Sequence, residues 1–368
     1  MKRTATAAVV VALAGLVLVG CGGEKAAPVA PAGPAAKAAP VSPARDIVPA
    51  DTARQIVFAT ASSDLEDPAA AGKAAAQAAR EQAGKHPVKA VLISECYEGK
   101  DRKAQALAGV ASVFTPTLIH GGSTYGSFLQ TGLAGGESVS VLVIAGKDVD
   151  VKVACNEKLD TAALTLEQNK DELDKRLSAG GAALARRLPR NGDSRLLIVV
   201  ADAHSPKNGP LVAGMQTVVG KGFPITGGSV NKNAGQSVVY YQGKMLADAA
   251  VGIMLSGNFK VAMAGRQAKE NDQVISTARD GAAAAVDALA GQQAKPAVLL
   301  AFDCAGRKGR LKNVADELAA VQHSCGKRVP IFGTYNAGEI GPADLADKSP
   351  GVLSSGVGWH AMFTAIGW

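Results

Sequence analysis

Residues 224–229 read Pro-Ile-Thr-Gly-Gly-Ser, and this stretch closes the second of three similar units of the chain. Each unit opens with a short apolar run and reaches a proline, then glycine, roughly thirty residues later, a spacing typical of repeat proteins. The opening runs are Val91-Leu92-Ile93-Ser94, Leu196-Leu197-Ile198-Val199 and Val298-Leu299-Leu300-Ala301. The matching closing motifs are Pro116…Gly121-Gly122-Ser123, Pro224-Ile225-Thr226-Gly227-Gly228-Ser229 and Pro330-Ile331-Phe332-Gly333-Thr334. This pattern predicts one supersecondary unit used three times, with glycine turns at equivalent places that are the natural location of function.

Strand-like and helix-like segments alternate between these motifs. Apolar runs predict strands at 55–59, 88–93, 138–144, 196–201, 236–241, 249–256, 297–302 and 358–366. Helical patterns occupy 68–83, 101–113, 166–188, 211–219, 276–289 and 311–321. Thr165 opens a capping box, and the leucines from Leu166 to Leu188 form one stripe that belongs to a core. The predicted fold class is α/β: mixed α/β layers with repeated strand-helix-strand units and more than one sheet.

The first twenty residues have the pattern of a lipoprotein signal peptide. Lys2 and Arg3 precede an apolar run over 7–19 that is too short for a membrane span. The run ends in Leu18-Val19-Gly20-Cys21, which resembles a bacterial lipobox and implies cleavage before Cys21 and its acylation. An ordinary signal peptide with a chance cysteine is the alternative. Residue 22 is glycine, a sorting pattern that resembles outer-membrane lipoproteins, so we expect a membrane-anchored lipoprotein on the periplasmic side, at the outer membrane.

Residues 21–52 are rich in proline and alanine, a composition that cannot bury a core and predicts a disordered linker. The remainder is long enough for two domains. The formal net charge of +7 is spread among acidic residues without an aromatic-basic stripe, which argues against nucleic-acid binding.

Four cysteines follow the linker: Cys96, Cys155, Cys304 and Cys325. In an exported protein they permit disulfides in any of three connectivities, and buried free thiols are the alternative. The absence of a Cys-x-x-Cys pair argues against a zinc or thioredoxin-type site.

The third unit contains the most specific motif. Asp303-Cys304-Ala305-Gly306-Arg307 follows a strand, a helix with Glu317 comes next, and the closing turn gives Pro330-x-x-Gly333-x-Tyr335-x-x-Gly338-Glu339-Ile340. These residues resemble the C-terminal half of the FIST family. Gly122-Ser123-Thr124-x-Gly126 and Pro224-x-x-Gly227-Gly228-Ser229 are similar to the earlier family turns. The resemblance implies a FIST N-like domain at 53–262 and a FIST C-like domain at 263–368.

The resemblance also implies a sensory, small-ligand-binding domain of signal transduction, for which amino acids or their derivatives are the suggested ligands. Family members are typically cytoplasmic and fused to output modules, whereas this chain has an export signal. An unknown signalling partner is therefore expected.

Arg307 and Glu339 are the first candidate ligand-binding residues. Arg307 lies past the carboxyl end of a strand and suits a carboxylate, while Glu339 suits the other end of a zwitterion. The alternative is an internal salt bridge of Arg307 with Glu339 or Glu317, which leaves the role of Glu317 open as well. Tyr335 lies between these motifs and joins the candidate set.

The glycine motifs supply further candidates for ligand binding: Ser123, Thr124, Gly228 and Ser229. Their backbone N–H groups suit an anion, although turn geometry explains the glycines equally well. Asp202 and His204 lack a third ligand at characteristic spacing, so neither a metal nor a cofactor is predicted.

The sequence therefore favours non-covalent binding of a small molecule without catalysis. One alternative is a hydrolase or transferase that uses Cys304, also a candidate ligand contact, with a histidine base such as His323 or His360. The other alternative is a structural envelope lipoprotein. Common enzyme motifs, including Gly-x-Gly-x-x-Gly, the P-loop and His-Glu-x-x-His, are absent from the sequence.

Overall fold

The computed structural model describes residues 45–50, 55–233, 236–344 and 347–368. The predicted signal peptide, the lipidation site Cys21 and most of the predicted linker lie outside these residues. Within the described ranges, none of the helices is both long and apolar enough to cross a membrane.

Three successive repeats share one order of elements: strand, helix, strand, helix, strand, hairpin and returning strand. The first repeat contains β1 (Ile56–Ser63), α1 (Pro68–Ala83), β2 (Val88–Glu95), α2 (Lys100–Ala111), a short 3-10 helix (Pro116–Leu118), β3 (Ile119–Ser123), β4 (Ser127–Leu129), β5 (Gly132–Leu133) and β6 (Val139–Gly146). The second contains β7 (Val149–Asn156), α3 (Leu166–Arg186), β8 (Ser194–Ala201), α4 (Asn208–Val219), β9 (Ile225–Ser229), β10 (Val239–Tyr241), β11 (Lys244–Leu246) and β12 (Ala250–Gly257). The third contains β13 (Lys260–Gln267), α5 (Asn271–Ala290), β14 (Pro296–Cys304), α6 (Ala305–Lys308), α7 (Val314–Cys325), β15 (Ile331–Asn336), β16 (Glu339–Gly341), β17 (Ser355–Val357) and β18 (His360–Gly367).

Helices α1 and α3 begin where local sequence chemistry predicts, whereas α5 begins at Asn271 rather than at the predicted residue 276 and α7 begins at Val314 rather than at 311. The side chain of Asp67 accepts a hydrogen bond from the backbone N–H of Ala70, and Pro68 occupies the first helical position of α1. Thr165 caps α3 through the N–H of Gln168, as the capping box predicts. Four stripe residues of that helix and its C-terminal extension are buried, and the predicted core stripe is confirmed: Leu173, Leu177, Leu184 and Leu188.

The prediction of glycine turns is wrong, because these motifs form the parallel strands β3, β9 and β15. Glycine is required there by close backbone contact rather than by a turn. Gly227 has φ +151°, and a Cβ on it would lie 1.9 Å from the carbonyl oxygen of Val199 on the neighbouring strand. A Cβ on Gly121 would lie 2.0 Å from the carbonyl oxygen of Ile93. Glycine marks equivalent tight contacts between β2 and β3 and between β8 and β9.

Each repeat completes the sheet of another repeat. The three six-stranded sheets have the orders β1-β6-β2-β3-β10-β11, β7-β12-β8-β9-β16-β17 and β13-β18-β14-β15-β4-β5. The first four strands of each sheet come from one repeat, and the last two form a hairpin from a different repeat. Only the pairs β2–β3, β8–β9 and β14–β15 are parallel. The predicted fold class of mixed α/β layers with more than one sheet is confirmed.

The described core has one central part, three peripheral parts and a smaller fifth cluster around Val200. The central cluster contains apolar side chains of all three sheets, among them Phe58, Ile198 and Phe302. Each peripheral cluster packs a sheet against its own helix pair, and it includes one residue of the exchanged hairpin: Tyr240, Ile340 or Phe128. The predicted domain boundary at 262 falls inside β13 and stays a prediction.

Candidate functional site

The segments that follow the parallel strands bond to one another across the repeats. The N–H of Tyr125 donates to the carbonyl of Tyr335 at 2.8 Å, and the N–H of Asn231 donates to the carbonyl of Ser123 at 2.9 Å. Ala337 donates in the same way to Ser229 at 3.2 Å. The carboxyl ends of strands from all three repeats therefore lie close together, which is where α/β sheets commonly bind ligands.

A cavity of about 490 Å³ opens at this place, after β2, β3 and β9. We call it the carboxyl-end cavity. Its lining consists of Cys96, Tyr97, Glu98, Thr124, Tyr125, Gly136, Glu137, Asn231 and Asn233. The volume lies within the range of small-molecule sites, and the lining combines polar and apolar surface in nearly equal parts.

The floor of the carboxyl-end cavity is fixed by hydrogen bonds between the first and second repeats. Ser123 Oγ donates to Asn231 Oδ1 at 3.1 Å and accepts the N–H of Val238 at 3.0 Å. Thr124 Oγ1 lies 2.9 Å from Ser94 Oγ, and both residues are buried. Of the two predicted residues in this segment, Thr124 therefore lines the cavity, whereas Ser123 holds Asn231 in place.

The third repeat contributes a cation next to the same cavity. Lys308 Nζ donates to the carbonyl of Tyr125 at 2.6 Å and lies 5.0 Å from the centre of the Tyr335 ring. Burial raises the pKa of the Cys96 thiol, and the positive charge of Lys308 partly opposes this shift. Cys96 is half-buried, unlike the other three thiols of the described chain, and all four are free.

Arg307 does not face the carboxyl-end cavity but lies in a buried ionic network with internal partners. Its Nε donates to Asp303 Oδ1 at 2.8 Å, and its Nη2 donates to Glu317 Oε1 at 3.1 Å. The remaining bonds go to Thr277 Oγ1 at 3.1 Å and the Val274 carbonyl at 3.0 Å. The internal Arg307–Glu317 salt bridge considered from the sequence is therefore present. Together the four bonds occupy most donors of the guanidinium.

The network around Arg307 also contains Tyr335 and two buried carboxyl groups, those of Asp303 and Glu317. Burial raises the pKa of Glu317 well above its usual value, and the neighbouring Asp303 carboxylate raises it further. Burial likewise raises the pKa of Asp303, an effect that the Arg307 guanidinium opposes, and Tyr335 Oη donates to Glu317 Oε2 at 3.1 Å. The guanidinium thus compensates the two buried carboxyl groups through direct hydrogen bonds, as buried charges require.

The first repeat contains an analogous pair. Glu95 ends β2 as Asp303 lies at the end of β14, and Lys103 Nζ donates to both its carboxylate oxygens at 3.1 Å. Tyr240 Oη donates to Glu95 Oε1 at 3.0 Å, and all three side chains are buried. Two repeats thus place an acid–base pair under the same strand end, which supports a structural role for Arg307.

Glu339 is separated from Arg307 and lies against Cys304. Its Oε2 accepts the backbone N–H of His360 at 3.1 Å, while within the described residues Oε1 lacks a hydrogen-bond partner. Burial raises the pKa of Glu339 well above its usual value, and its interaction with the Cys304 thiol lowers it only in part. Burial therefore favours the neutral form of the Glu339 carboxyl group.

The surroundings of Cys304 disfavour a thiolate. Burial raises the pKa of its thiol, and the nearby Glu339 raises it further. His360 directs its two ring nitrogens to the Gly358 carbonyl at 2.8 Å and the Asp344 N–H at 3.2 Å. The imidazole is therefore engaged away from the thiol.

The remaining predicted residues lie within the second sheet. A Cβ on Gly228 would come within 2.6 Å of the Asn336 side chain, and Ser229 Oγ donates to the Ala203 carbonyl at 2.7 Å. The N–H of Ser229 donates to the Gly338 carbonyl at 2.8 Å. This N–H therefore bonds within the fold. His204 Nε2 lies 3.3 Å from Asp202, and the described residues contain no group of three potential metal ligands.

Comparison with protein families matches a FIST N domain over residues 89–270 and a FIST C domain over residues 238–342. The chain belongs to the FIST family. FIST domains are sensory domains that bind small ligands. The two matched ranges overlap, so they leave the domain division at residue 262 as a prediction. No curated protein matches the chain.

Among solved structures, this FIST chain is similar to two cyanuric acid hydrolases. One shows 10% identity with a TM-score of 0.42, covering 85% of this chain and 100% of the other. The second, from A. caulinodans, shows 12% identity with a TM-score of 0.43 and coverages of 84% and 98%. A third similarity is to PurL of T. maritima, at 7% identity and a TM-score of 0.28, with coverages of 87% and 74%. Similarities of this size give no argument about the activity of the FIST chain. Its activity has to be argued from its own residues.

Thiol reactivity should separate the four cysteines of the FIST chain that lie within the described residues. Treating the native protein with iodoacetamide is expected to alkylate Cys96 first, because it is half-buried in a cavity while Cys155, Cys304 and Cys325 are buried. Peptide mass spectrometry measures the alkylated fraction of each cysteine in the native protein relative to denatured protein, in which all four react. Alkylation of Cys304 as fast as Cys96 would instead favour a nucleophilic thiol.

The buried Glu339 should make stability depend on pH. Because burial raises its pKa in the folded state above the ordinary 4.5, its contribution is complete below that pH and declines as pH rises toward the folded-state pKa. Glu339→Gln cannot ionise, so its free energy of unfolding should exceed that of the wild type by more at pH 8 than at pH 5. Urea denaturation measures this difference, and Glu81→Gln, at an exposed site on α1, is the control. A difference that stays constant with pH would contradict the assignment.

Proposed function

We propose that this FIST chain is a lipid-anchored, extracytoplasmic sensory protein that binds an amino acid or related amine in the carboxyl-end cavity. The observation that carries the proposal is this cavity of about 490 Å³, placed where strand ends of the three repeats meet. Binding there is non-covalent, since burial raises the pKa of Cys96 and keeps its thiol protonated. In this proposal Cys304 has no catalytic role.

The charge of the lining supports an amine-bearing ligand. Its ionisable carboxylates are Glu98 and Glu137, and the neighbouring cation, Lys308, donates to the Tyr125 carbonyl. Arg102 pairs with Glu137 at 2.6 Å, which leaves Glu98 as the carboxylate best suited to an ammonium group. Asn233, also in the lining, has an amide that suits the carboxylate end of an amino acid.

The anchoring part of the proposal rests on the sequence. The lipobox-like motif at Cys21 implies an acylated residue, and the proline-rich stretch after it suits a tether. The ligand-bound state is relayed to a separate signalling partner. Loss of palmitate labelling in Cys21→Ser is the expected result, and equal labelling of both chains would contradict the anchor.

Thermal unfolding against a panel of amino acids and small amines tests the binding. A ligand at 100 times its dissociation constant adds about 2.7 kcal/mol to the free energy of unfolding, which raises the melting temperature measurably. Analogues without the amino group should give no shift, and Glu98→Gln should weaken the response. The absence of a shift with every amine would overturn the proposal.

A further inference from the structure

A second cavity lies at the opposite ends of the parallel strands. It has a volume of about 440 Å³ and is formed where β8 and β9 begin and β12 passes into β13. We call it the amino-end cavity. Its lining includes Arg190, Arg195, Lys260, Phe223, Phe259 and Gln292. None of the lining residues belongs to the predicted ligand-binding set.

The lining of the amino-end cavity is positively charged. It contains two arginines and one lysine, and its described residues include neither aspartate nor glutamate. The nearest acidic contact is Asp193, whose Oδ1 lies 3.7 Å from Arg195 Nη2 at an exposed position. Three cations around one concave volume favour an anion there.

Both guanidinium groups are held in place by the backbone. Arg190 Nη1 donates to the carbonyl of Val219, and its guanidinium carbon lies 4.3 Å from the centre of the Phe223 ring. Arg195 Nη1 donates to the Gly192 carbonyl at 2.7 Å. In the described chain these bonds use Nη1 of each arginine, so the Nε and Nη2 edge of Arg190 is left for a ligand.

The walls of the amino-end cavity are apolar. Phe223 and Phe259 are buried, and both line it. Gln292 is held against the rim by its bond to the Val261 carbonyl at 3.0 Å. The combination suits a ligand with an anionic head and a less polar remainder.

We propose that the amino-end cavity binds a phosphate group, carried either by a free phosphate ester or by a phospholipid headgroup. Planar guanidinium groups match phosphate oxygens in a bidentate way. Three cations also suit a phosphate group, which can carry a second negative charge, better than they suit a single carboxylate. This site is independent of the amine site, because the two cavities lie at opposite strand ends and have linings of opposite charge.

Titration calorimetry on the full chain tests the site with three probes at constant ionic strength: inorganic phosphate, glycerol 1-phosphate and glycerophosphoglycerol. Preferential binding of inorganic phosphate or glycerol 1-phosphate indicates a free phosphate ligand, and preferential binding of the diester glycerophosphoglycerol indicates a lipid headgroup. Lys260→Gln should lower the affinity for the probe that binds by about tenfold, which is the effect of losing one charge-assisted bond.

Gly222→Trp provides a blocking variant for the same experiment. Gly222 lines the cavity, and a Cβ on it would meet no atom within 4 Å, so the substitution adds bulk at the cavity without a clash at Cβ. It should abolish binding, whereas Gly136→Trp, at the carboxyl-end cavity, should leave the affinity unchanged. Failure of all three probes to bind, or equal affinity in Gly222→Trp and the wild type, would overturn the proposal.

Discussion

Arg307→Met should lower the free energy of unfolding by about 3–5 kcal/mol, because it leaves the buried carboxyl groups of Asp303 and Glu317 without their cation. The exposed fraction of the Arg307 side chain is 0%, and its donors serve Asp303, Glu317, Thr277 and a backbone carbonyl. Methionine retains the volume of the aliphatic stem but supplies no donor. Urea denaturation of the purified variant measures the loss.

Arg279→Met is the matched control for this experiment. Its side chain is 52% exposed and pairs only with the neighbouring Asp280, so the expected loss is within about 1 kcal/mol. A different outcome would revive the ligand role inferred from the sequence. If Arg307→Met kept its stability and lost affinity for a bound amine or carboxylate, the guanidinium would be a ligand contact rather than a structural cation.

Separate expression of residues 1–258 and 259–368 should yield two fragments that do not fold alone. The third sheet takes its edge hairpin, β4–β5, from the first repeat, and the second sheet takes β16–β17 from the third. Each fragment would therefore expose unpaired strand edges and part of the central core. Neither should show a cooperative thermal transition, whereas the co-expressed fragments should purify together.

A protease site inserted after Asn258 supplies the control, since this residue is exposed between β12 and β13. Cleavage of the folded chain there should leave one particle, because the exchanged hairpins still hold the pieces together. Cooperative unfolding of the isolated fragment 259–368 would show that the third repeat is an autonomous domain and would contradict the exchanged-sheet account.

Local structure was predictable from the sequence where local chemistry decides it. The proline and capping residues before α1 and the leucine stripe of α3 specify their helices without tertiary information. The prediction of turns at the glycine motifs was wrong because glycine is common in turns. At Gly227 the physical reason for glycine is instead the close approach of the Val199 carbonyl on another strand. Hairpin exchange depends on contacts between residues far apart in sequence, such as Tyr335 and Gly126, for which periodicity has no signal.

The candidate site was predictable only in part. The sequence grouped Arg307, Glu317 and Tyr335 correctly as neighbours, but the role of Asp303 as their shared partner was missed because a carboxylate inside a strand carries no motif. Thr124 was found, whereas Cys96 was missed. A signal for Cys96 existed, since it directly follows an acidic residue at the end of a strand, Glu95, as Cys304 follows Asp303.

The central claim is that the carboxyl-end cavity binds a small amine, and a blocked cavity tests it most directly. Gly136 lines this cavity, and a Cβ on it would meet no atom within 4 Å, so Gly136→Trp fills the space without backbone strain. The measurement is titration calorimetry of the amine that gives the largest thermal shift. The account predicts that Gly136→Trp abolishes binding while Gly222→Trp, at the amino-end cavity, binds like the wild type. Equal affinity of Gly136→Trp and the wild type would contradict it.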